Sequence, residues 1–279
     1  FGLISCNISS PESAMFLGQD SIDEAALLRS PELLESGIRP EVMQRCVSTN
    51  SLLAERARAG AAHGSAIICE EQTEGRGRRG NKWVSAPGSS LTFSILWRFK
   101  SPVPAMSALG LAVAVAVATA LEAQGAKGIE LKWPNDLVFE GRKLGGILIE
   151  MLRDGENAVA VIGVGLNSGN APALSASVGQ MVADLRHAGL HATRTAILAV
   201  VLPHLAKALE AFQEAGFSHF REQWLARHRW QGRQVRLFSQ GRVQAVGEAA
   251  GVADDGALLL RIDGVLVPHY VGELSMRPA

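Results

Sequence analysis

The sequence carries no excess of charge of either sign. Its 279 residues include 27 basic and 27 acidic side chains, which gives a formal net charge of zero. A domain that binds duplex nucleic acid usually shows a basic excess over a whole face, so this balance argues against DNA as a partner of this chain. Apolar residues make up 47% of the chain, which is enough for a sizeable core in one large domain or two modest ones.

Cysteine and long hydrophobic runs are also scarce. The three cysteines, Cys6, Cys46 and Cys69, are odd in number and show no C-x-x-C spacing. We interpret them as reduced thiols and expect a cytoplasmic protein. The longest apolar run, residues 108–121, is too short for a bilayer and predicts a buried helix, so we expect no membrane partner. No secretory signal is visible at the N-terminus, and the origin of residues 1–15 stays open.

The order of predicted elements indicates an α+β fold with a second, smaller part. Residues 1–42 form an N-terminal extension in which we find no complete helix-turn-helix. Residues 43–231 alternate between helical stretches and strands, including an antiparallel set around a turn at Gly141. Residues 232–279 hold five short strands punctuated by glycine, which predicts a small β-barrel.

The stretch "EGRGRRGNKW", residues 74–83, concentrates arginine and glycine in one loop. Glycine lets the backbone approach a ligand closely, and arginine pairs with phosphate or carboxylate through a planar fork. Neighbouring cations repel one another, so we expect a loop that is mobile when empty and ordered when an anion binds. A solvated basic loop without a role and a nucleic-acid arm are the alternatives.

The stretch "KWPNDLVFEGRKLGG", residues 132–146, places lysines, an amide and a carboxylate close together. A hairpin centred near Gly141 would fold Lys143 back toward Asn135. Asp136 is a plausible Mg²⁺ ligand because hard oxygen donors suit magnesium that also holds phosphate. Taken alone, the stretch is equally consistent with a simple turn. A third stretch, "GVGLN" at 163–167, suits the close approach of a nucleotide at a strand end.

Together these stretches resemble the biotin–protein ligase family. The motifs "STN", "EGRGRRGNKW", "KWPND", "RKLGGILIE" and "GVGLN" occur in that family's order, and the resemblance runs from about Val47 to Met276. It implies a catalytic domain like that of class II aminoacyl-tRNA synthetases, with a mixed or antiparallel sheet flanked by helices. It also implies that the C-terminal strands form an SH3-like β-barrel.

The resemblance implies a reaction in two steps. Biotin and MgATP form biotinyl-5′-AMP and pyrophosphate, and a lysine of a biotin carboxyl carrier protein then displaces AMP. The chemistry of the residues agrees with this reaction, because a mobile cationic loop and Mg²⁺ would bring a carboxylate and a triphosphate together against their repulsion. A homodimer is possible, with "NAVAVIGVG" as an edge strand that pairs across a two-fold interface.

The resemblance also assigns residues to roles. The implied catalytic residues are Arg78, Lys143, Lys132 and Asp136, the last as a Mg²⁺ ligand. The implied biotin-binding residues are Ser48, Thr49, Asn50, Gln72, Gly75, Arg76, Gly77, Arg78, Lys143 and Gly146. The implied ATP- and adenylate-binding residues are Arg76, Arg78, Trp83, Lys132, Asn135 and Asn167. Arg79 could face solvent.

One departure and two rival functions accompany the resemblance. Asn81 stands where some relatives carry a basic residue, which would weaken retention of the adenylate. Lipoate–protein ligases share the fold, although the combination of "GRGRRG" and "KWPND" favours biotin. A repressor that responds to biotinyl-AMP would need a DNA-reading helix in the N-terminal extension, and we find none there.

Overall fold

The computed structural model describes residues 20–100, 106–154, 157–179, 181–270 and 274–279. Within these ranges lie one seven-stranded sheet, one five-stranded sheet and seven α-helices. Cys6 and the N-terminal part of the predicted closing strand "GELSMR" lie outside the described residues. Cys46 and Cys69 are free cysteines.

The seven-stranded sheet has the order β1-β2-β3-β7-β6-β5-β4. Its strands are β1 (Arg39–Cys46), β2 (Ser65–Gln72), β3 (Ser90–Arg98), β4 (Ile129–Lys132), β5 (Asp136–Phe139), β6 (Arg142–Asp154) and β7 (Asn157–Asn167). The β1–β2 pair is parallel, and every other pair is antiparallel. The mixed sheet confirms the predicted fold class.

The helices cover both faces of this sheet. They are α1 (Glu24–Leu28), α2 (Pro31–Glu35), α3 (Thr49–Arg58), α4 (Leu109–Ala123), α5 (Ala171–Val178), α6 (Arg194–Ala215) and α7 (Arg221–Arg227). Alternation along the strands divides the core: Ile67 faces α3, whereas Ile68 faces the larger cluster that contains α4 and α6. Helix α3 therefore packs on the opposite face of the sheet from α4 and α6, and this face carries the site.

The predicted buried helix is α4, and its apolar composition is explained by burial. Eleven of its fifteen residues are buried. By length and composition the stretches Met106–Ala123 and Arg194–Arg227 would each be able to cross a membrane. Both contribute buried residues to the main hydrophobic core, which accounts for their apolar composition.

The C-terminal strands form an antiparallel sheet of order β11-β10-β9-β8-β12. The strands are β8 (Gln234–Ser239), β9 (Arg242–Val252), β10 (Leu258–Ile262), β11 (Val265–His269) and β12 (Ser275–Pro278). Their number, order along the chain and pairing agree with the predicted SH3-like part. Their buried residues join the same hydrophobic cluster as α4 and α6, as do Trp224 and Trp230.

The motif "KWPND" connects the two sheets. The Trp133 indole is fully buried and its Nε1 donates to the carbonyl oxygen of Gly256 at 3.1 Å, in the turn between β9 and β10. The Trp133–Pro134 peptide bond is cis and lies in the tight turn between β4 and β5. The turn that presents Asp136 is thus attached to the C-terminal sheet.

One expectation needs correction. The stretch "NAVAVIGVG" is not an edge strand, because β7 pairs with β3 on one side and with β6 on the other. The domain boundary expected at residues 42/43 stays a prediction. Because it falls inside strand β1, we propose that the catalytic unit starts with this strand.

A buried ion pair holds the segment before β1 in place. The Arg194 guanidinium, 1% exposed, donates to the Glu70 carboxylate through Nη1 at 2.6 Å and Nη2 at 3.1 Å. The Arg194 backbone N–H donates to Asp20 at 3.0 Å, and the Ile22 N–H donates to Glu70 at 3.0 Å. One charged cluster thereby joins α6, β2 and the first described residues.

Replacing Arg194 with alanine should lower the free energy of unfolding by about 3–5 kcal/mol, because it leaves the Glu70 charge buried without its partner. Urea unfolding followed by circular dichroism measures the loss. The matched control is Arg45→Ala, whose ion pair with Glu71 at 3.3 Å is exposed and should cost at most about 1 kcal/mol. Equal losses in the two variants would contradict a stabilising role for the buried pair.

Candidate functional site

A cavity of about 150 Å³ opens between the N-terminus of α3, the Gly/Arg loop and the β5–β6 hairpin. Most of the residues expected at a ligand site line it together. These are Ser48, Thr49, Asn50, Gln72, Arg76, Gly77, Arg78, Trp83, Asn135, Asp136, Lys143 and Gly146. Three stretches distant in sequence therefore form one site.

Glycines on two neighbouring strands make room for the cavity floor. Gly146 pairs with Gly165, and Leu148 pairs with Gly163. A Cβ atom on Gly163 would lie 2.2 Å from Asn50 Oδ1, and one on Gly165 would lie 2.5 Å from the Trp83 ring. Because the glycines of the motif "GVGLN" have no side chains, side chains of α3 and of the loop pack directly against the backbone of this strand.

The "STN" motif forms the first turn of α3. Ser48 is the N-cap, and its hydroxyl accepts from the Ser51 N–H. The Thr49 N–H donates to Gln72 Oε1 at 2.8 Å, while the Ser94 hydroxyl donates to Asn50 Oδ1 at 2.6 Å. All three motif residues are nearly fully buried. This end of the cavity is a preorganised set of small polar groups.

The Gly/Arg loop folds over the cavity. A hydrogen bond joins its two ends, from the Trp83 N–H to the Gly75 carbonyl at 2.8 Å. A Cβ on Gly75 would lie only 2.3 Å from the Trp83 carbonyl oxygen. The Gly77 N–H donates to the Asn81 carbonyl at 2.7 Å. Arg79 takes a left-handed conformation with φ of 58° at the tip. Arg79 also lines the cavity although it is exposed.

Two arginines of the loop bind different residues. Arg76 Nη2 donates to both Glu150 oxygens, at 2.9 and 2.8 Å. Arg78 Nη1 donates to Asn135 Oδ1 at 3.3 Å. Burial lowers the pKa of Arg78, repulsion from Arg79 lowers it further, and the Asp136 charge opposes both. The Arg78 cation is poorly solvated, so an incoming anion would interact with it strongly.

The β4–β5 turn and the β5–β6 hairpin each bring one lysine to the same carboxylate. Lys143 Nζ lies 2.8 Å from Asp136 Oδ1, and Lys132 Nζ lies 3.6 Å from Asp136 Oδ2. The expected return of Lys143 across the Gly141 turn is therefore present. The Asn135 side chain donates to the Ile147 carbonyl at 2.7 Å, which fixes the acceptor that Arg78 uses.

A second cavity of about 500 Å³ adjoins the first and shares Trp83 and Lys143 with it. Asn167 lines this second cavity, where its Nδ2 donates to the carbonyls of Lys143 at 3.1 Å and Ala183 at 2.9 Å. The apolar wall includes residues of α5 and of the chain that follows it. These are Leu174, Val178 and Val182.

The expected site residues that do not line the first cavity are Gly75, Lys132 and Asn167. Gly75 accepts the hydrogen bond that joins the two ends of the loop. Lys132 forms an ion pair with Asp136, and Asn167 lines the second cavity. Sequence reasoning missed Glu150 and Ser94, which touch cavity residues. Glu150 ends the motif "RKLGGILIE", whereas no local pattern distinguishes Ser94 from a strand serine.

Sequence comparison identifies relatives of this site and fold. Residues 42–167 match the Biotin/lipoate A/B protein ligase family. The chain is 36% identical over 233 residues to the bifunctional ligase/repressor BirA of Escherichia coli (strain K12), covering 83% of this chain and 72% of that protein. It is 33% identical over 241 residues to the biotin–[acetyl-CoA-carboxylase] ligase of Mycobacterium tuberculosis (strain ATCC 25618 / H37Rv), covering 84% and 87%.

Comparison with solved structures agrees. The biotin protein ligase from Aquifex aeolicus in complex with biotin and ATP superposes with a TM-score of 0.74 and 27% identity, covering 86% of this chain and 99% of that chain. Fold, site and sequence thus define a ligase. The chain belongs to the biotin–protein ligase family.

Gly165→Ala should displace the Trp83 indole, because the new Cβ would lie 2.5 Å from the ring. In a ¹H–¹⁵N NMR spectrum, one of the five indole N–H signals should shift strongly while the others stay. The control is Gly110→Ala in α4, where the nearest atom to the new Cβ is 3.9 Å away. An unchanged set of indole signals in the Gly165 variant would contradict the close packing.

Proposed function

We propose that this protein is a MgATP-dependent biotin–protein ligase that acts on a biotin carboxyl carrier protein. The observation that carries the proposal is the convergence of two unlike environments in one cavity. Buried small polar groups of "STN" lie at one end, and the cations Arg78 and Lys143 lie at the other. A ligand with a neutral hydrogen-bonding ring and a carboxylate matches this arrangement.

Biotin would lie with its ureido group against Ser48, Thr49 and Asn50. Asn50 Oδ1 faces the Ser94 hydroxyl and accepts a hydrogen bond, so this end suits a group with N–H donors. Gln72 holds Thr49, and Gly146 in the floor leaves room for the Lys143 side chain, since a Cβ at this position would lie 3.3 Å from it. The biotin carboxylate would then face the cationic end, where the backbone of Gly75 and Gly77 holds the loop closed.

ATP would place its adenine in the second cavity, near Asn167, with the Trp83 indole as the wall shared by both ligands. The apolar wall of that cavity suits a flat aromatic base. The α-phosphate would then lie between the cavities, beside Lys143 and Arg78. Asp136 fits a Mg²⁺ that arrives with the phosphates, because such an ion takes one or two protein carboxylates and keeps its waters.

The residues would act by positioning and by charge. Lys143 would leave Asp136 for the biotin carboxylate or its bridging oxygen, and Arg78 would bind the charge that develops on the α-phosphate, while Arg76 stays paired with Glu150 and holds the loop. The carboxylate oxygen attacks phosphorus and pyrophosphate leaves. In the second step an acceptor lysine amine attacks the acyl carbon and AMP leaves with the bridging oxygen. Lys132 and Asp136, whose side chains are 3.6 Å apart, would meet that incoming amine.

The finer features rest on the family and the geometry. The Mycobacterium tuberculosis relative carries acetyl-CoA carboxylase in its name, which supports a carboxyl carrier as the acceptor. We propose that residues 43–231, with the start of β1, form the catalytic domain and that 232–279 form the SH3-like one. The name of the Escherichia coli relative combines ligase and repressor, and the two cavities that suit biotin and a nucleotide support the ligase activity for this chain.

The substrate acid is tested by a quenched reaction of the protein with Mg²⁺, ATP and either biotin or lipoate. Mass spectrometry should detect biotinyl-adenylate, because the polar α3 end matches a ureido group that lipoate lacks. Lipoyl-adenylate alone would keep the acyl-adenylate mechanism and overturn the substrate. If folded protein forms neither adenylate, the ligase proposal for this chain is refuted.

Lys143→Ala should slow adenylate formation about 10²–10³-fold, because it removes a cation that stabilises the transition state. The side chain is 33% exposed, so thermal stability should change little. Rapid-quench kinetics measure the rate, and Lys207→Ala on the exposed face of α6 is the control. A rate within twofold of the parent protein would remove Lys143 from the reacting centre.

A further inference from the structure

Glu150 lies just outside the first cavity and touches two of the residues that line it. It follows Gly146 and Leu148 on the same face of β6, since side chains alternate along a strand. Its carboxylate accepts from Asn50 Nδ2 at 2.8 Å and from Arg76 Nη2 at 2.9 and 2.8 Å. Among the described contacts, this carboxylate joins the polar helix end to the cationic loop.

The contact with Asn50 determines which way that amide faces. A carboxylate and the Leu148 carbonyl only accept hydrogen bonds, so the amide nitrogen must point toward them. Asn50 Oδ1 is then directed to the Ser94 hydroxyl, and Asn50 lines the cavity. Glu150 therefore keeps an acceptor, rather than a donor, at the end of the cavity that receives ureido N–H groups.

The contact with Arg76 acts on the loop. Arg76 stands at the start of the loop and pairs across it with Lys82 in a single β-bridge. A side chain fixed at this position holds the loop backbone over the cavity. The Arg76 and Glu150 side chains are 44% and 30% exposed, so the ion pair adds little to global stability. Its effect should appear in the loop and in ligand affinity.

We propose that Glu150 is a positioning residue that couples closure of the Gly/Arg loop, through Arg76, to the orientation of Asn50 at the ureido end of the site. The ligand part of this inference rests on the proposed function. The coupling goes beyond it, because Glu150 itself lines neither cavity. A ligand that orders Asn50 would thereby favour the closed loop, and the closed loop would favour the ligand-ready Asn50.

Glu150→Gln separates the two contacts. The amide keeps the shape of the side chain and one carbonyl acceptor for Asn50, but it cannot form an ion pair with Arg76. The matched control is Glu122→Gln, because Glu122 is 32% exposed and forms an equally close ion pair with Arg227, at 2.6 Å and far from the cavities. Thermal stability of both variants should stay near that of the parent protein.

The first readout needs no ligand. Trypsin should cleave after Arg78 or Arg79 about fivefold faster in Glu150→Gln than in the parent protein, because loss of the pair opens the loop. Glu122→Gln should behave like the parent. Arg76→Ala should show the same acceleration, and the double variant Arg76→Ala/Glu150→Gln should show no further increase.

The second readout is biotin affinity by titration calorimetry. Glu150→Gln should raise Kd for biotin about fivefold to tenfold, Glu122→Gln should leave it unchanged, and the double variant should match Arg76→Ala alone. Additive effects of the two substitutions, or parent-like cleavage and affinity in Glu150→Gln, would overturn the coupling. Absence of biotin binding by the parent protein would instead overturn the proposed function, and the coupling to biotin with it.

Discussion

Repulsion among cations is the constraint on which the site depends. Arg76, Arg78, Lys132 and Lys143 converge on one region, and two carboxylates, Asp136 and Glu150, hold three of them in the described structure. Close cations are stable together only when each has an anionic or hydrogen-bonding partner. Lys143 is released to a ligand when the ligand's carboxylate and phosphates replace Asp136, while Arg76 keeps its pair with Glu150. A site built in this way binds anions strongly and favours closure around them.

The backbone makes this convergence possible. Glycines in β7 let the loop and α3 lie against a bare strand, and the β5–β6 hairpin returns Lys143 to Asp136. Trp133 attaches the same hairpin to the C-terminal sheet through Gly256. The Arg194–Glu70 pair fixes β2, which carries Gln72. Interactions distant from the cavity thus hold its walls at the separations that the chemistry requires.

Much of this was predictable from sequence because the relevant signals are local. Glycine and arginine in one loop, a proline-containing turn and alternating strands each have a short-range cause, and their order carried the resemblance. The position of β7 was not predictable in this way, because an apolar strand looks alike at an edge and in the interior. The role of Glu150 depends on its contacts with Asn50, which is 100 residues away in the sequence, and with Arg76, which is 74 residues away.

A crystal structure with a non-hydrolysable analogue of biotinyl-5′-AMP tests the central claim most directly. The account predicts that the ureido group contacts Asn50, that the acyl-phosphate linkage lies within hydrogen-bonding distance of Lys143 and Arg78, and that adenine lies beside Trp83. Lys143 should then have left Asp136. An analogue bound with its acyl-phosphate away from these cations, or with the Lys143–Asp136 pair intact, would contradict the account.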